Sequence, residues 1–319
     1  MKGFRILFRF FFPGVLVVGF LLSCGTSPAR VELAQTYYNL GNAYLDLERW
    51  DDAESAYARA MDIDPGMYRA GYNMARIYIN NKNYPHAVEL LTNLLKKDPS
   101  NIMIRESLGW CYLEMGEKEK GEELYRGILL DDPANCDVRY NLSLLLGERE
   151  EWEEVHAMLM ECVDLDERDG EILFLLGRAE RESDLGNGLG WMEQAAKESS
   201  KNLRILEKLA GVYREEQMFV QALEVYDTLL SLKEEDRGRF FFEKSFVLYT
   251  AMADQEKGFE MLEKALEAGY EDPPSLAELL ISLGYLGEED LSGEIEDMLR
   301  GYQLLDGVLG EMKKSLDRS

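Results

Sequence analysis

Leu40-Gly41-Asn42-Ala43-Tyr44, followed by Ala53, Tyr57, Ala60 and Pro65, returns every 34 residues. One period on, the chain reads Met74-Ala75-x-x-Tyr78, Ala87, Leu91, Leu94 and Pro99. A second period gives Leu108-Gly109-x-x-Tyr112, Gly121, Tyr125, Ile128 and Pro133. Numbered from Ala34, the unit puts small residues at positions 8, 20 and 27 and large apolar ones at 7, 11 and 24. This spacing predicts two helices, A over about positions 1–14 and B over about 15–28. Small residues let the pair cross closely, and the large ones fill the layer between successive units. Proline at position 32 ends helix B, because it lacks an N–H and disfavours helix in the residue before it.

Later copies drift but keep register. Copy four (136–169) has Leu142, Leu146, Val155, Leu159 and Cys162, and copy five (170–202) keeps Leu176-Gly177 but is one residue short. Copy six (203–236) carries Leu209-Ala210, Tyr213, Ala222, Tyr226 and Leu229; copy seven (239–272) follows a two-residue insertion with Phe246, Tyr249, Gly258, Leu262 and Ala265. With 34–67, 68–101 and 102–135, these make seven copies over 34–272. The pattern resembles the tetratricopeptide repeat (TPR), a helix–turn–helix unit that stacks into an array. The resemblance implies an all-α, right-handed superhelical α-solenoid of about seven hairpins whose ends are capped by polar faces. A lone hairpin cannot bury its own apolar face; stacked neighbours share one core.

Outside the repeats, Lys2, Arg5 and Arg9 precede an apolar run from Phe10 to Leu22, too short to favour a permanent span. Leu21-Leu22-Ser23-Cys24-Gly25 then resembles the lipobox of bacterial lipoproteins. That resemblance implies a signal peptide over 1–23, cleavage after Ser23, acylation of Cys24, and a lipidated tether over 24–33. Each buried CH₂ of such an anchor adds about 0.8 kcal/mol of membrane affinity. Gly25 in place of Asp favours the periplasmic side of the outer membrane where the source has two membranes. An uncleaved anchor helix and an ordinary secretory peptide are the alternatives. At the other end, 273–319 is expected to form capping helices. Pro273-Pro274-Ser275-x-x-Glu278 reads as a stop followed by a capping box. The apolar run from Leu291 to Leu316 reads as further helix containing Gly301, Gly307 and Gly310. This segment serves as a solvating cap, or as a docking surface for a partner or a second copy.

Formal net charge is −26, and loss of the three cations of the leader makes the chain more acidic still. Such a balance argues against nucleic acid, whose affinity rests on Lys and Arg against phosphates, and favours basic partners. Yet Arg69, Arg76, Arg178, Arg181, Arg204, Lys208 and Arg214 all fall on A helices. Cys111 and Cys162 occupy core positions. Cys136 and Cys162, at positions 1 and 27 of one antiparallel hairpin, are either thiols or, in an oxidising envelope, a disulfide. There are two histidines, His86 and His156, and no HExxH, paired CxxC, P-loop or GxSxG. No enzyme, cofactor or metal site is expected. Gly186-Asn187-Gly188-Leu189-Gly190 has no strand before it and reads as an irregular joint dividing the array near residue 186.

In the TPR family helix A lines the concave face, with positions 2, 5, 9, 12 and 13, and in some members 6, turned to the groove. The resemblance thereby nominates Tyr38-Asn39, Tyr72-Asn73 and Tyr140-Asn141 at positions 5 and 6, and Asn42, Arg76, Trp110 and Arg178 at position 9. Asn both donates to and accepts from a peptide backbone, and Tyr and Trp give large contact area with few rotors. The groove departs from the carboxylate clamp of chaperone-binding TPR domains: Asn42 and Asn73 match it, but Tyr38, Met103 and Ser107 stand where it has basic residues. The expected function is a non-catalytic, membrane-anchored scaffold or assembly adaptor binding other proteins of the bacterial cell envelope. A ligand-binding accessory subunit of an envelope transport system is the second reading.

Overall fold

Seven helical hairpins appear where the 34-residue period places them. The computed structural model describes residues 27–232, 236–285 and 293–316, which form seventeen helices and no strand. Cys24 lies outside the described residues. The A and B helices pair as α1 (Pro28–Asp46) with α2 (Trp50–Ile63), α3 (Tyr68–Asn80) with α4 (Tyr84–Leu95), and α5 (Ile102–Glu114) with α6 (Lys118–Asp131). They continue as α7 (Cys136–Glu148) with α8 (Trp152–Asp164), α9 (Gly170–Glu182) with α10 (Leu189–Glu198), α11 (Leu203–Glu215) with α12 (Phe219–Leu232), and α13 (Arg237–Thr250) with α14 (Gln255–Glu267). Three further helices follow: α15 (Pro273–Ser282), α16 (Gly293–Gly301) and α17 (Leu305–Leu316). The fold is an all-α solenoid. None of its helices among the described residues is long and apolar enough to cross a membrane.

Contacts divide the chain into two compact units, Met1–Leu124 and Tyr125–Ser319. In the first, α1 to α4 each pack on the next helix, and α4 packs on α5. Its cores are the group of Tyr38, Ala53, Tyr57, Ala60, Ala70 and Ile77, and the group of Ala75, Ala87, Leu91, Leu94, Ile104, Leu108 and Cys111. In the second unit α7 to α14 pack in sequence, and α15 joins α13 and α17. Leu276, Leu280, Ile295, Leu299, Val308 and Met312 extend the core begun by Phe242 and Leu262, so the last helices close the array with an apolar inner face.

The backbone repeats with the sequence. Asn101, Asn135 and Asn202 close copies two, three and five, and each caps the following A helix through its side-chain oxygen, as on Val138 N at 3.0 Å. Position 15, the turn between A and B, is left-handed in all seven copies: Glu48, Lys82, Gly116, Glu150, Asp184, Gln217 and Ala253 have φ between 52° and 78°. Only one of the seven is glycine, so the residue types hide a conformation that the hairpin geometry imposes. Ala53, at a crossing, is fully buried. Ala53→Leu overpacks that crossing, and a loss of about 1–3 kcal/mol is expected in urea unfolding; a variant that unfolds like the parent would remove the crossing argument.

Several expectations are corrected. Helix α1 begins at Pro28, so residues 28–33 of the expected tether are helical. Leu40, expected to fill a layer between repeats, is exposed because no described helix precedes α1. The glycine stretch at 186–190 is not a division of the array: α9 and α10 pack closely across it. The capping box is not formed; Asp272 occupies the N-cap of α15, and Ser275 Oγ donates to its carboxylate at 2.5 Å. The final apolar run is split by a turn at Tyr302–Leu304, where Gln303 is left-handed. In copy seven the small residue at the crossing is Ser245, whose hydroxyl donates to the Gly258 carbonyl at 2.9 Å, and Phe246 beside it is half-buried.

Cys136 at the start of α7 and Cys162 near the end of α8 form a disulfide, with Cα atoms 5.7 Å apart. Cys111 is a free, buried thiol that burial, reinforced by the nearby Glu114 carboxylate, pushes up to about 11.

Candidate functional site

The A-helix face of the second unit holds a cleft of about 380 Å³ between α7, α9 and α11. Its apolar lining comes from Leu144, Phe174, Leu175, Met192 and Val212, and Leu144 is exposed within it. Around them stand Tyr140, Arg178, Arg181 and Lys208, with Glu171, Glu182 and Glu215. Most of these occupy positions 2, 5, 6, 9, 12 or 13 of their copies, because an A helix turns those positions away from its B helix.

Glu171 is the hub. It accepts from Arg204 Nη2 at 2.7 Å and Nε at 3.1 Å, and from Asn202 Nδ2 at 3.3 Å. Lys208 Nζ lies 3.9 Å from its other oxygen, which Tyr140 reaches at 3.5 Å. Burial, with the adjoining Glu171 charge, raises the Tyr140 phenol above its ordinary pKa and keeps it a neutral donor. Lys208 also lies over the Phe174 ring at 5.4 Å. Arg181 pairs with Glu215 at 3.3 Å and Glu216 at 3.0 Å. Arg178, exposed, lies 4.7 Å over the Trp152 ring, with Glu182 at 3.8 Å. The cations of the A helices are thus held in place by carboxylates and rings, so the cleft offers directed donors around an apolar floor with little net charge.

In the first unit the nominated residues behave differently. Tyr57 Oη donates to Asn42 Oδ1 at 2.7 Å, and Asn73 Nδ2 donates to Asn42 Oδ1 at 3.1 Å and Tyr57 Oη at 3.2 Å. The two asparagines therefore bond to each other across successive A helices. Tyr72 Oη pairs with Ser107 Oγ at 3.1 Å, the same kind of link one repeat on. Tyr38 belongs to the core: it packs 5.9 Å from Tyr57, centroid to centroid, with the Arg69 guanidinium 5.6 Å from the centre of its ring. Asn39 is exposed and accepts from Gln35 Nε2 at 2.8 Å within α1. Arg76 lines a smaller cleft of about 270 Å³ with Leu45, Trp50, Ile77, Ile79 and Asn80. Trp110 is exposed on α5, and Asn141 is half-buried on α7.

Of the nominated residues, Tyr140 and Arg178 meet in the larger cleft. The sequence reading does not nominate Glu171, Leu144 or Phe174, and it notes Lys208 only as a cation of an A helix. Their positions 2, 9, 5 and 6 were the available signal, but none repeats the Tyr-Asn pattern that drew attention. The tyrosines at position 11 were expected in the core. Tyr213 is buried, whereas Tyr44, Tyr78 and Tyr112 are half-buried. Tyr78 and Tyr213 donate to Glu54 at 2.8 Å and Glu193 at 2.9 Å; burial and these carboxylates push both phenols up to about 12. Among the described residues, no group of three or more His, Cys, Asp or Glu is placed to hold a metal ion.

Residues 44–101 and 81–145 match the family model of the tetratricopeptide repeat. TPR hairpins are generally non-catalytic scaffolds for protein–protein interaction, with partners on the concave face. Comparison with curated proteins gave no match. Among solved structures, the chain is similar to a tetratricopeptide repeat protein from Parabacteroides merdae, at 17% identity and a TM-score of 0.56 over 80% of this chain and 100% of that one. It is also similar to the human IFIT1 dimer with m7Gppp-AAAA, at 15% identity and a TM-score of 0.57 over 89% and 71% of the two chains. Both likenesses are of fold.

Proposed function

On a solenoid whose residues 44–145 carry tetratricopeptide-repeat sequence, we propose a non-catalytic, lipid-anchored scaffold of the bacterial cell envelope that grips a segment of a partner protein in the cleft of α7, α9 and α11. The observation that carries this reading is the cleft itself. Leu144, Phe174 and Val212 give an apolar floor, and Tyr140, Arg178 and Lys208 are held at its edge. An apolar side chain of the partner enters the floor, and the fixed donors take its backbone carbonyls. Because each donor is already oriented, little side-chain entropy is lost on binding. The envelope location is supported by the resemblance of Leu21-Leu22-Ser23-Cys24-Gly25 to a lipobox and by the Cys136–Cys162 bridge, a bond that persists in oxidising compartments. An RNA ligand such as the one in the IFIT1 structure is disfavoured by a net charge of −26.

Capture from detergent-solubilised membranes tests the cleft. Leu144→Glu/Arg178→Glu puts carboxylates on the floor and edge without touching the core, and is expected to weaken partner capture at least tenfold. Tyr72→Ala/Asn73→Ala, which cuts links in the other unit, is expected to weaken it less. Equal capture by all three proteins would move the site elsewhere. Mass spectrometry of the N-terminus tests the anchor separately, since a mature chain beginning at an unmodified residue would exclude acylated Cys24.

The cleft volume also fits a small ligand, which keeps a ligand-binding accessory of an envelope transporter as the second reading. Native mass spectrometry separates the two: a small molecule retained by the parent and lost in Leu144→Glu/Arg178→Glu favours the accessory.

A further inference from the structure

Position 7 is covered wherever a B helix stands before it, though Met74, preceded by α2, is only half-buried. Leu108, Leu176 and Leu209, preceded by α4, α8 and α10, are 4%, 0% and 3% exposed. Leu40, the same position in α1, is 40% exposed. It is not alone. Helix α1 has 19 residues where α3, α5, α7, α9 and α11 have 13. Its additional length carries Leu33, 49% exposed, and its C-cap is Leu47, 66% exposed. The half-buried Tyr37 and Tyr44 fall between them. Leu33, Tyr37, Leu40, Tyr44 and Leu47 alternate spacings of four and three, which aligns them along one side of the helix as a heptad seam. The outer face of a terminal repeat is expected to be polar; among the described residues, α1 instead carries a ladder of three leucines and two tyrosines.

The order along the seam says what covers it. Leu-Tyr-Leu-Tyr-Leu reads the same in both directions about Leu40. Two α1 helices laid antiparallel about a twofold axis at Leu40 set Leu33 against Leu47, Tyr37 against Tyr44, and Leu40 against its own copy, the self-complementarity that an isologous interface requires. Charge agrees. Arg30 continues the line one step before Leu33, and Glu48 follows Leu47; both are exposed. Antiparallel pairing brings Arg30 of each copy to Glu48 of the other, whereas parallel pairing sets Arg30 against Arg30. Within its own chain Arg30 donates to the Ile63 carbonyl at the end of α2 at 3.2 Å, and it remains exposed. We propose that this face of α1 is a twofold interface with a second copy of this chain. The interface stands apart from the cleft of α7, α9 and α11 and holds with or without the lipid anchor.

Single cysteines in the full chain carrying Cys24→Ser test it, since Cys111 is buried and Cys136 is bonded to Cys162. Under mild oxidation Leu40→Cys alone is expected to give a covalent dimer. Leu33→Cys and Leu47→Cys are each expected to give little alone and a dimer when mixed. By light scattering, Leu40→Glu is expected to halve the mass of the parent, and Leu40→Met to preserve it, with circular dichroism confirming that both are folded. A monomeric mass for the parent would overturn the proposal. So would equal cross-linking at all three positions. Protection of the Leu40→Cys thiol from maleimide by phosphatidylcholine vesicles, in a protein that stays monomeric, would assign the face to a lipid surface and overturn it as well.

Discussion

Gly188→Val is expected to cost on the order of 4 kcal/mol or more in the Tyr125–Ser319 unit, the range reserved for backbone strain and core overpacking together. Two independent effects act at this residue. Its φ is +63°, a left-handed conformation that a β-branched residue adopts only under strain. A Cβ there would sit 1.8 Å from the Gly177 carbonyl oxygen, a backbone atom that cannot swing aside. Gly177 in turn has no room, since its own Cβ would lie 2.6 Å from the Gly188 carbonyl and 2.8 Å from Met192 Cγ. The α9–α10 crossing is therefore a contact of two backbones. Gly190, two residues on and inside α10, faces open space, and Gly190→Ala is expected to stabilise by about 0.5–1 kcal/mol through helix propensity. Urea unfolding followed by the fluorescence of Trp191, with Trp50, Trp110 and Trp152 replaced by Phe in parent and variants alike, reads both variants from the same hairpin. If the two unfold at the same urea concentration, the backbone contact is not what holds this crossing.

Breaking the Cys136–Cys162 bridge has the next largest expected effect. The bridge closes 26 residues of sequence, and the chain-entropy relation for a loop of that length gives about 3.5 kcal/mol. The bridge joins the first turn of α7 to the last turn of α8, so its loss frees both ends of one hairpin at once. Cys136→Ser/Cys162→Ala is the preferred variant, because Cys162 is fully buried and a hydroxyl there would lack a solvent partner. The double variant is expected to unfold at lower urea, and dithiothreitol should shift the parent to the same midpoint while leaving the variant unchanged. A parent insensitive to dithiothreitol, and equal in stability to the variant, would show that the bridge contributes nothing to the fold. Since a repeat array need not unfold in one step, hydrogen exchange on α7 and α8 is the sharper readout.

The periodic part of the molecule was legible because each hairpin meets the same neighbours. Ala53, Ala87 and Ala222 at the crossing, and Tyr57, Leu91 and Leu159 at position 24, are buried as their positions require. The left-handed residue at position 15 was not legible, because Glu48, Lys82, Glu150, Asp184, Gln217 and Ala253 carry no compositional sign of it. Only the demand that α1 close onto α2, and likewise in each later copy, places them there. The groove-facing positions of the A helices could be named from the sequence, whereas the engagement of their side chains by neighbouring repeats could not. Tyr-Asn pairs looked like ligand-facing groups. Tyr72 instead links to Ser107, Asn73 to Asn42, and Tyr140 to Glu171; in these copies positions 5 and 6 tie one A helix to its neighbours. Tyr38, in the first copy, turns to Tyr57 and becomes core.

By itself, then, the order of amino acids determined the hairpin, its length, its crossings and the number of copies, since these depend on contacts within 34 residues that recur at every copy. Three matters belonged to the tertiary structure alone: which A-helix side chains are engaged by a neighbouring repeat, which are left to line the cleft, and what the first helix exposes. The physical reason is the same for all three. A repeat encodes its own packing against an average neighbour, whereas the outer face of α1, a half-buried carboxylate such as Glu171 gathering four side chains, and a backbone contact such as Gly177 on Gly188 depend on the particular neighbour that each copy has or lacks.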